Sequence, residues 1–150
     1  MDVEARPAEP ADLPMLVDLA RTARSEQADH RGGPLLVARH CRPEPLDLAF
    51  SEALADPTTS LWAGTIDGVP VGYALVSADG EVAVVEELHV EPQARAVGVG
   101  EAILDAVVAW ANDLGCTGID AFALPGARET KNFFETFGLT ARLLVLHRDL

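Results

Sequence analysis

Hydrophobic and polar positions along this chain change period several times, and each change marks an element. Val3 to Arg6 alternates weakly and predicts a short strand, closed by Pro7 and Pro10. Leu13, Leu16, Val17 and Ala20 recur at helical spacing, which predicts a helix over Leu13–Ala23 with Asp12 as its cap. Ser25 to Pro45 has no sustained period; Arg31-Gly32-Gly33-Pro34 reads as a turn or loop, followed by the short apolar run Leu35-Leu36-Val37. A second helix is predicted over Asp47–Leu54, before Asp56-Pro57. Three strands follow, Leu61–Ile66, Val71–Ser77 and Glu81–Val90, separated by the hairpin signals Asp67-Gly68 and Asp79-Gly80. The pattern then returns to helical spacing over Val99–Leu114, with Ile103, Leu104, Val107, Val108, Trp110 and Ala111 on the apolar side and Gly115 as the stop. A strand over Gly118–Leu124, a helix over Arg128–Phe137 and a closing strand over Arg142–Arg148 complete the reading.

That order predicts an α/β (α+β) fold in a single domain, residues 1–150, with an antiparallel meander in its first half. The strand–helix–strand unit around Val99–Leu114 requires a parallel pair with a right-handed crossover, so the central sheet is expected to be mixed, with helices on both faces. An apolar fraction of 49 % supports one packed core, and with aromatics at 5 % that core is expected to be built from Ala, Val and Leu. A net charge of -13 argues against nucleic acid and anionic membranes as partners and suits a cationic one, such as an amine. Cys41 and Cys116 are far apart and match no metal spacing, so no metal is expected and both thiols are read as free. Neither a basic segment followed by an apolar run at the N-terminus nor a membrane-length apolar stretch is seen, and the default expectation is a cytoplasmic protein.

One segment carries chemistry. Between the third meander strand and the long helix lies Val90-Glu91-Pro92-Gln93-Ala94-Arg95-Ala96-Val97-Gly98-Val99-Gly100. Glycines at Gly98 and Gly100 permit a tight turn and close approach of a ligand. The helix that follows offers free N–H groups and the positive end of its dipole, an anion site suited to a pyrophosphate, with Arg95 beside it. A meander before the turn does not fit a dinucleotide-binding unit, and the Lys-Ser/Thr end of a P-loop is missing. The run Val90-x-Pro92-x-x-Arg95-x-x-Gly98-x-Gly100 resembles motif A of the GNAT N-acetyltransferase superfamily, and the order of elements over the whole chain resembles the GNAT fold. Ala96 departs from the glycine that often follows the arginine in that family.

The resemblance implies acetyl-CoA as co-substrate, with its pyrophosphate held by backbone N–H groups of Arg95, Ala96, Val97, Gly98, Val99 and Gly100. It implies a splay, at a β-bulge, between the strand carrying Leu88, His89 and Val90 and the next strand. The pantetheine arm would lie in that splay against the backbone of Leu88 and Val90, and a backbone N–H there would polarise the acetyl carbonyl. The implied reaction is direct attack of a primary amine, on a small molecule or a protein. An amine nucleophile must lose a proton, and Glu86 matches the position of a glutamate base in some GNAT enzymes, with Glu87 as the second candidate. Strand alternation allows only one of the two to face a given site, and His89 has the parity of Glu87. The tyrosine that often protonates the departing thiolate is replaced by Phe134, and an asparagine seven residues earlier by Ala127. These departures point to an alternative, a GNAT-fold acyl-CoA-binding sensor or regulatory protein without turnover. Tyr73 is a substitute acid on the meander, read first as a packing residue, and Arg128 and Lys131 are candidates for the 3′-phosphate. The local basic group His30, Arg31, Arg39, His40 and Arg42 falls where GNAT proteins cover the acceptor, and would suit an acceptor with a carboxylate or phosphate. A homodimer is compatible with the resemblance.

Overall fold

A computed structural model describes residues 1–150. Its elements are β1 (Val3–Pro7), α1 (Leu13–Ala28), α2 (Gly33–His40), α3 (Leu46–Ala55), β2 (Thr59–Ile66), β3 (Val69–Ala78), β4 (Val82–Val90), α4 (Val99–Asp113), β5 (Gly118–Ala121) and α5 (Arg128–Thr136). All five strands form one sheet in chain order; β1 to β4 pair antiparallel and β5 joins β4 parallel, across α4. The hairpin between β2 and β3 turns on Asp67 and Gly68, both left-handed at φ 49° and 83°, as a two-residue turn with matching twist requires.

Two apolar layers flank the sheet. On one face Leu16, Val17 and Ala20 of α1 and Leu46 and Phe50 of α3 meet Leu61, Ala63, Tyr73 and Leu75. On the other, Val99, Ile103, Leu104 and Val107 of α4 cover Val71, Ala74, Val76, Ala83 and Val85, and Phe134 of α5 joins them. Gly64 lets α4 sit close, since a Cβ there would lie 2.6 Å from Ile103 Cδ1. At the entry to α1 Arg6 Nη1 and Nη2 donate to Asp12 at 2.7 and 2.9 Å, tying β1 to the helix. Asp12 also accepts the Glu9 N–H at 2.8 Å, so it stabilises the turn before α1 rather than capping α1 through its side chain.

Four elements differ from the sequence expectation; the strand expected over Gly118–Leu124 ends at Ala121. The stretch read as loop contains α2, which starts from left-handed Gly32 with Pro34 in its first turn. Here Gly33 is obligatory: a Cβ would fall 1.6 Å from the Gln27 carbonyl oxygen, because the chain folds back directly onto the end of α1. α1 itself runs five residues beyond its expected end, to Ala28. The closing strand predicted over Arg142–Arg148 is not part of the sheet. Residues 140–150 are exposed and without secondary structure, and none of them is hydrogen-bonded into the sheet. None of the helices is long and apolar enough to cross a membrane.

Candidate active site

The turn between β4 and α4 leaves an unusual run of free donors. After a short 3-10 turn at Pro92–Ala94, Ala96 and Gly98 are left-handed at φ 65° and 97°, and α4 begins at Val99. None of the backbone N–H groups from Ala96 to Glu101 has an acceptor within the chain; the first to be satisfied is Ala102, which donates to Gly98 O at 3.0 Å. Free donors at the positive end of a helix favour negative charge. Gly98 is required for its conformation, since nothing lies within 4 Å of a Cβ built on it. Space is tight at Gly100: a Cβ would stand 3.1 Å from Phe133 Cε1, so the ring of α5 packs closely against the first turn of α4 and would have to give by a few tenths of an ångström. Arg95 donates through Nε to Val90 O at 2.8 Å and through Nη2 to Glu26 at 3.0 Å, which holds its guanidinium beside the cradle.

Next to this cradle the sheet opens. β5 pairs with β4 only over Val82–Val85, so Glu86 to Val90 have no strand on that side. A cleft of about 540 Å³ occupies the gap, lined by β4, the Arg95–Glu101 turn, the end of α1, the Phe122–Leu124 stretch and α5. Opposite, on β3, Leu75 pairs with Glu87 but the next residue, Val76, pairs with Val85. Glu86 is thus the extra residue of a β-bulge. The bulge breaks the alternation expected from sequence, and Glu86, Glu87 and His89 all line the same cleft.

The two glutamates have different partners. Glu87 is buried; it accepts from Tyr73 Oη at 2.9 Å, from Arg24 Nη2 at 3.1 Å and from Arg24 Nε at 3.4 Å. Arg24 donates its remaining branch to the Arg42 carbonyl at 2.7 Å, so α1, β4 and the exit of α2 are joined through one guanidinium. Desolvation disfavours the Arg24 charge, but the hydrogen bond and charge of Glu87 outweigh it and hold the guanidinium above its usual range. Burial, followed by the Glu87 charge, pushes the Tyr73 phenol well above its ordinary value and the nearby Cys41 thiol up to about 11. Glu86 has a single partner, Arg42, at 3.2 and 3.3 Å. His89 is buried; desolvation lowers its imidazole below the usual value, Arg95 acts in the same direction, and Glu26, 3.9 Å away, opposes both.

The sequence model of the acetyltransferase (GNAT) family matches residues 19–139. The chain belongs to that family. A curated relative, aminoglycoside N(6')-acetyltransferase type 1 of Stenotrophomonas maltophilia, is 35 % identical over 83 residues, 49 % of this chain and 54 % of that protein. The match therefore spans about half the length of the relative. Among solved structures, AAC(6')-Iy in complex with the bisubstrate analogue CoA-S-monomethyl-acetylneamine aligns over 100 % of this chain and 99 % of its own, with TM-score 0.73 and 19 % identity. A ribosomal-protein-alanine N-acetyltransferase from Brucella melitensis aligns over 99 % and 100 % at TM-score 0.71 and 14 % identity. These two likenesses establish the fold.

In this GNAT chain the cleft brings together most of the residues singled out from sequence: Glu86, Glu87, Leu88, His89, Val90, Arg95, Ala96, Gly100 and Phe134. Val97 and Gly98 lie outside the cleft wall on the turn, and the Val99 side chain is buried under α4, so these three can contribute only backbone. The left-handed Ala96 is a departure with a conformational cost, since that region disfavours any residue with a Cβ. Of the local basic group, His30 lines the cleft, His40 packs against Phe122 with ring centroids 4.8 Å apart and tilted by 31°, and Arg42 is paired with Glu86. Sequence reasoning missed Glu26, Gln27 and Arg24, which stand on the last turns of α1. The spacing of Ala20 and Ala23 continues into that turn and was the available signal.

Proposed function

We propose that this GNAT protein is an acetyl-CoA-dependent N-acetyltransferase that acts on a primary amine by direct attack in a ternary complex. The observation that carries the proposal is the run of six unsatisfied N–H groups from Ala96 to Glu101, placed at the mouth of the β4–β5 gap. A pyrophosphate fits such a cradle, and a pantetheine arm fits the gap against the Leu88 and Val90 backbone. The family assignment and the aminoglycoside N-acetyltransferase relative support the same reading.

Glu86 is the base we assign. It lines the cleft at the bulge, and one arginine is its only partner, whereas Glu87 is fully occupied by Tyr73 and Arg24. Glu86 accepts the ammonium proton, directly or through water, and the neutral amine attacks the acetyl carbonyl carbon. The developing oxyanion is met by a backbone N–H of the Leu88–Val90 stretch. The C–S bond then breaks, and the proton shed by the acylated nitrogen passes through water to the thiolate, because Phe134 carries no proton to donate. Glu26, Glu86, Glu101 and Glu129 all line the cleft, which suits a polycationic amine acceptor, as the name of the relative suggests.

Calorimetric titration with acetyl-CoA tests the cradle. The expected result is micromolar binding that is lost in the double variant Gly98→Val/Gly100→Val. Absence of binding to any acyl-CoA would overturn the reading. Glu86→Gln is expected to keep that binding and to lose at least about 100-fold in kcat, the usual scale of a general base; full activity in both Glu86→Gln and Glu87→Gln would remove the base assignment. The buried Phe134 favours a second reading, an acyl-CoA-binding sensor without turnover. Binding without product across a panel of polyamines, aminoglycosides and peptide N-termini would select it.

A further inference from the structure

Arg24 does not line the cleft, yet both supports of the Glu86 carboxylate lead back to it. Its side chain is only 12 % exposed, and a charge taken that far out of water requires partners. Glu87 supplies them on one edge of the guanidinium, through Nε and Nη2. The remaining branch does something a buried ion pair does not need: Nη1 donates to the main-chain carbonyl of Arg42 at 2.7 Å.

That carbonyl lies in residues 41–45, the segment between α2 and α3. Neither the N–H nor the C=O of Arg42 has a backbone partner, so the contact from Arg24 is the hydrogen bond that holds this point of the segment. From there the Arg42 side chain extends to Glu86, with Nη2 at 3.2 Å and Nε at 3.3 Å. On the other side stands Glu87, the next residue in the chain, fixed by Tyr73 and Arg24. Glu86 needs such support. It is the extra residue of the bulge, and no strand pairs with it on the β5 side, so the ladder does not dictate where its side chain points.

We infer that Arg24 is a positioning residue for Glu86: it fixes that carboxylate in the cleft by gripping the strand through Glu87 and the opposing cation through the Arg42 backbone. The inference rests on the reading of Glu86 as the base. The fork of a guanidinium is what allows one side chain to serve two directions; a lysine ammonium keeps the charge for Glu87 but is a single point without that fork. The N–H groups from Ala96 to Glu101 share none of these contacts, so the effect belongs to turnover and not to acetyl-CoA binding.

Steady-state kinetics of Arg24→Lys and Arg42→Leu, each alone and combined with Glu86→Gln, tests this with acetyl-CoA and the aminoglycoside or polyamine of highest turnover. Each single variant is expected to lower kcat by about 10- to 100-fold, the scale of a misplaced catalytic group, with the KM for acetyl-CoA unchanged. In the Glu86→Gln background the same changes should cost less than about 2-fold more, because they act through a group already removed. Circular dichroism checks the fold. If Arg24→Lys does not fold, Arg42→Leu carries the test, since it leaves the buried Arg24–Glu87 pair in place. An unchanged kcat, a loss confined to KM, or losses that multiply with Glu86→Gln overturn the assignment. Absence of turnover in the wild type with every acceptor would instead remove the enzyme reading, and the positioning is then decided without activity. The Arg42 Nε–H resonance, identified by its absence in Arg42→Leu, is expected to exchange with water about 10-fold faster in Arg24→Lys than in the wild type. Equal exchange in the two overturns the inference.

Discussion

Glu87 and Ala96 are each held in a state that their side chains do not favour in isolation. Glu87 is a buried carboxylate whose charge is balanced by Arg24, itself largely buried, and removing one member of such a pair costs about 3–5 kcal/mol because the other is left uncompensated. Glu87→Gln is therefore expected to lower the free energy of unfolding in urea by that amount. The more open Glu86–Arg42 pair should contribute about 1 kcal/mol or less, so Glu86→Gln should leave the denaturation midpoint almost in place. Ala96 sits at φ 65°, a conformation that costs an L-residue about 1–2 kcal/mol, and glycine returns part of the gain through the freer unfolded chain. Ala96→Gly is expected to stabilise by up to about 1 kcal/mol in the same urea measurement. At this scale the tight turn before α4 was legible from spacing in one segment, through Gly98 and Gly100. The orientation of Glu86 was not, because a bulge is a mismatch between two strands, and only the register of β3 against β4 reveals it.

Elements were legible where their period was long enough to identify. α4, with four fully buried aliphatic residues on one face, and the β2–β3–β4 meander came through with small errors at their ends. α2 did not, since eight residues opened by glycine and proline carry turn chemistry and barely two helical turns. The Arg142–Arg148 segment failed for a different reason: its apolar run reads as strand, but none of its backbone is paired into the sheet. The junction between β1 and α1 gives a pH-dependent expectation. The hydrogen bond from Arg6 holds the Asp12 carboxyl below its ordinary range. A group whose folded value is depressed contributes stability that is present above its unfolded value, about 3.9, and lost as pH falls through the folded one. Asp12→Asn should therefore lower stability at neutral pH while making it less sensitive to acid below about pH 4. Chemical denaturation at several pH values checks this; parallel curves for the variant and the parent would contradict it.

At the scale of the whole molecule, α1 and α3 on one face and α4 with α5 on the other clamp a sheet that is opened at one end by the mismatch between β4 and β5. That arrangement was legible as an order of elements. The links across the open end were not, because Arg24 reaches Glu87 across a sequence separation of 63. One consequence of those links is optical. Tyr73 is the only tyrosine of the chain, and it is buried with its hydroxyl on Glu87. Its phenolate would stand against a carboxylate in the core, so the proton stays bound until the core opens. An exposed tyrosine would ionise smoothly near pH 10. Here the ultraviolet phenolate band should instead stay silent through that range and appear in one abrupt step, together with the loss of helical ellipticity. The band then serves as a built-in reporter of global unfolding, and a gradual rise in the intact protein would show that the phenol is not sealed.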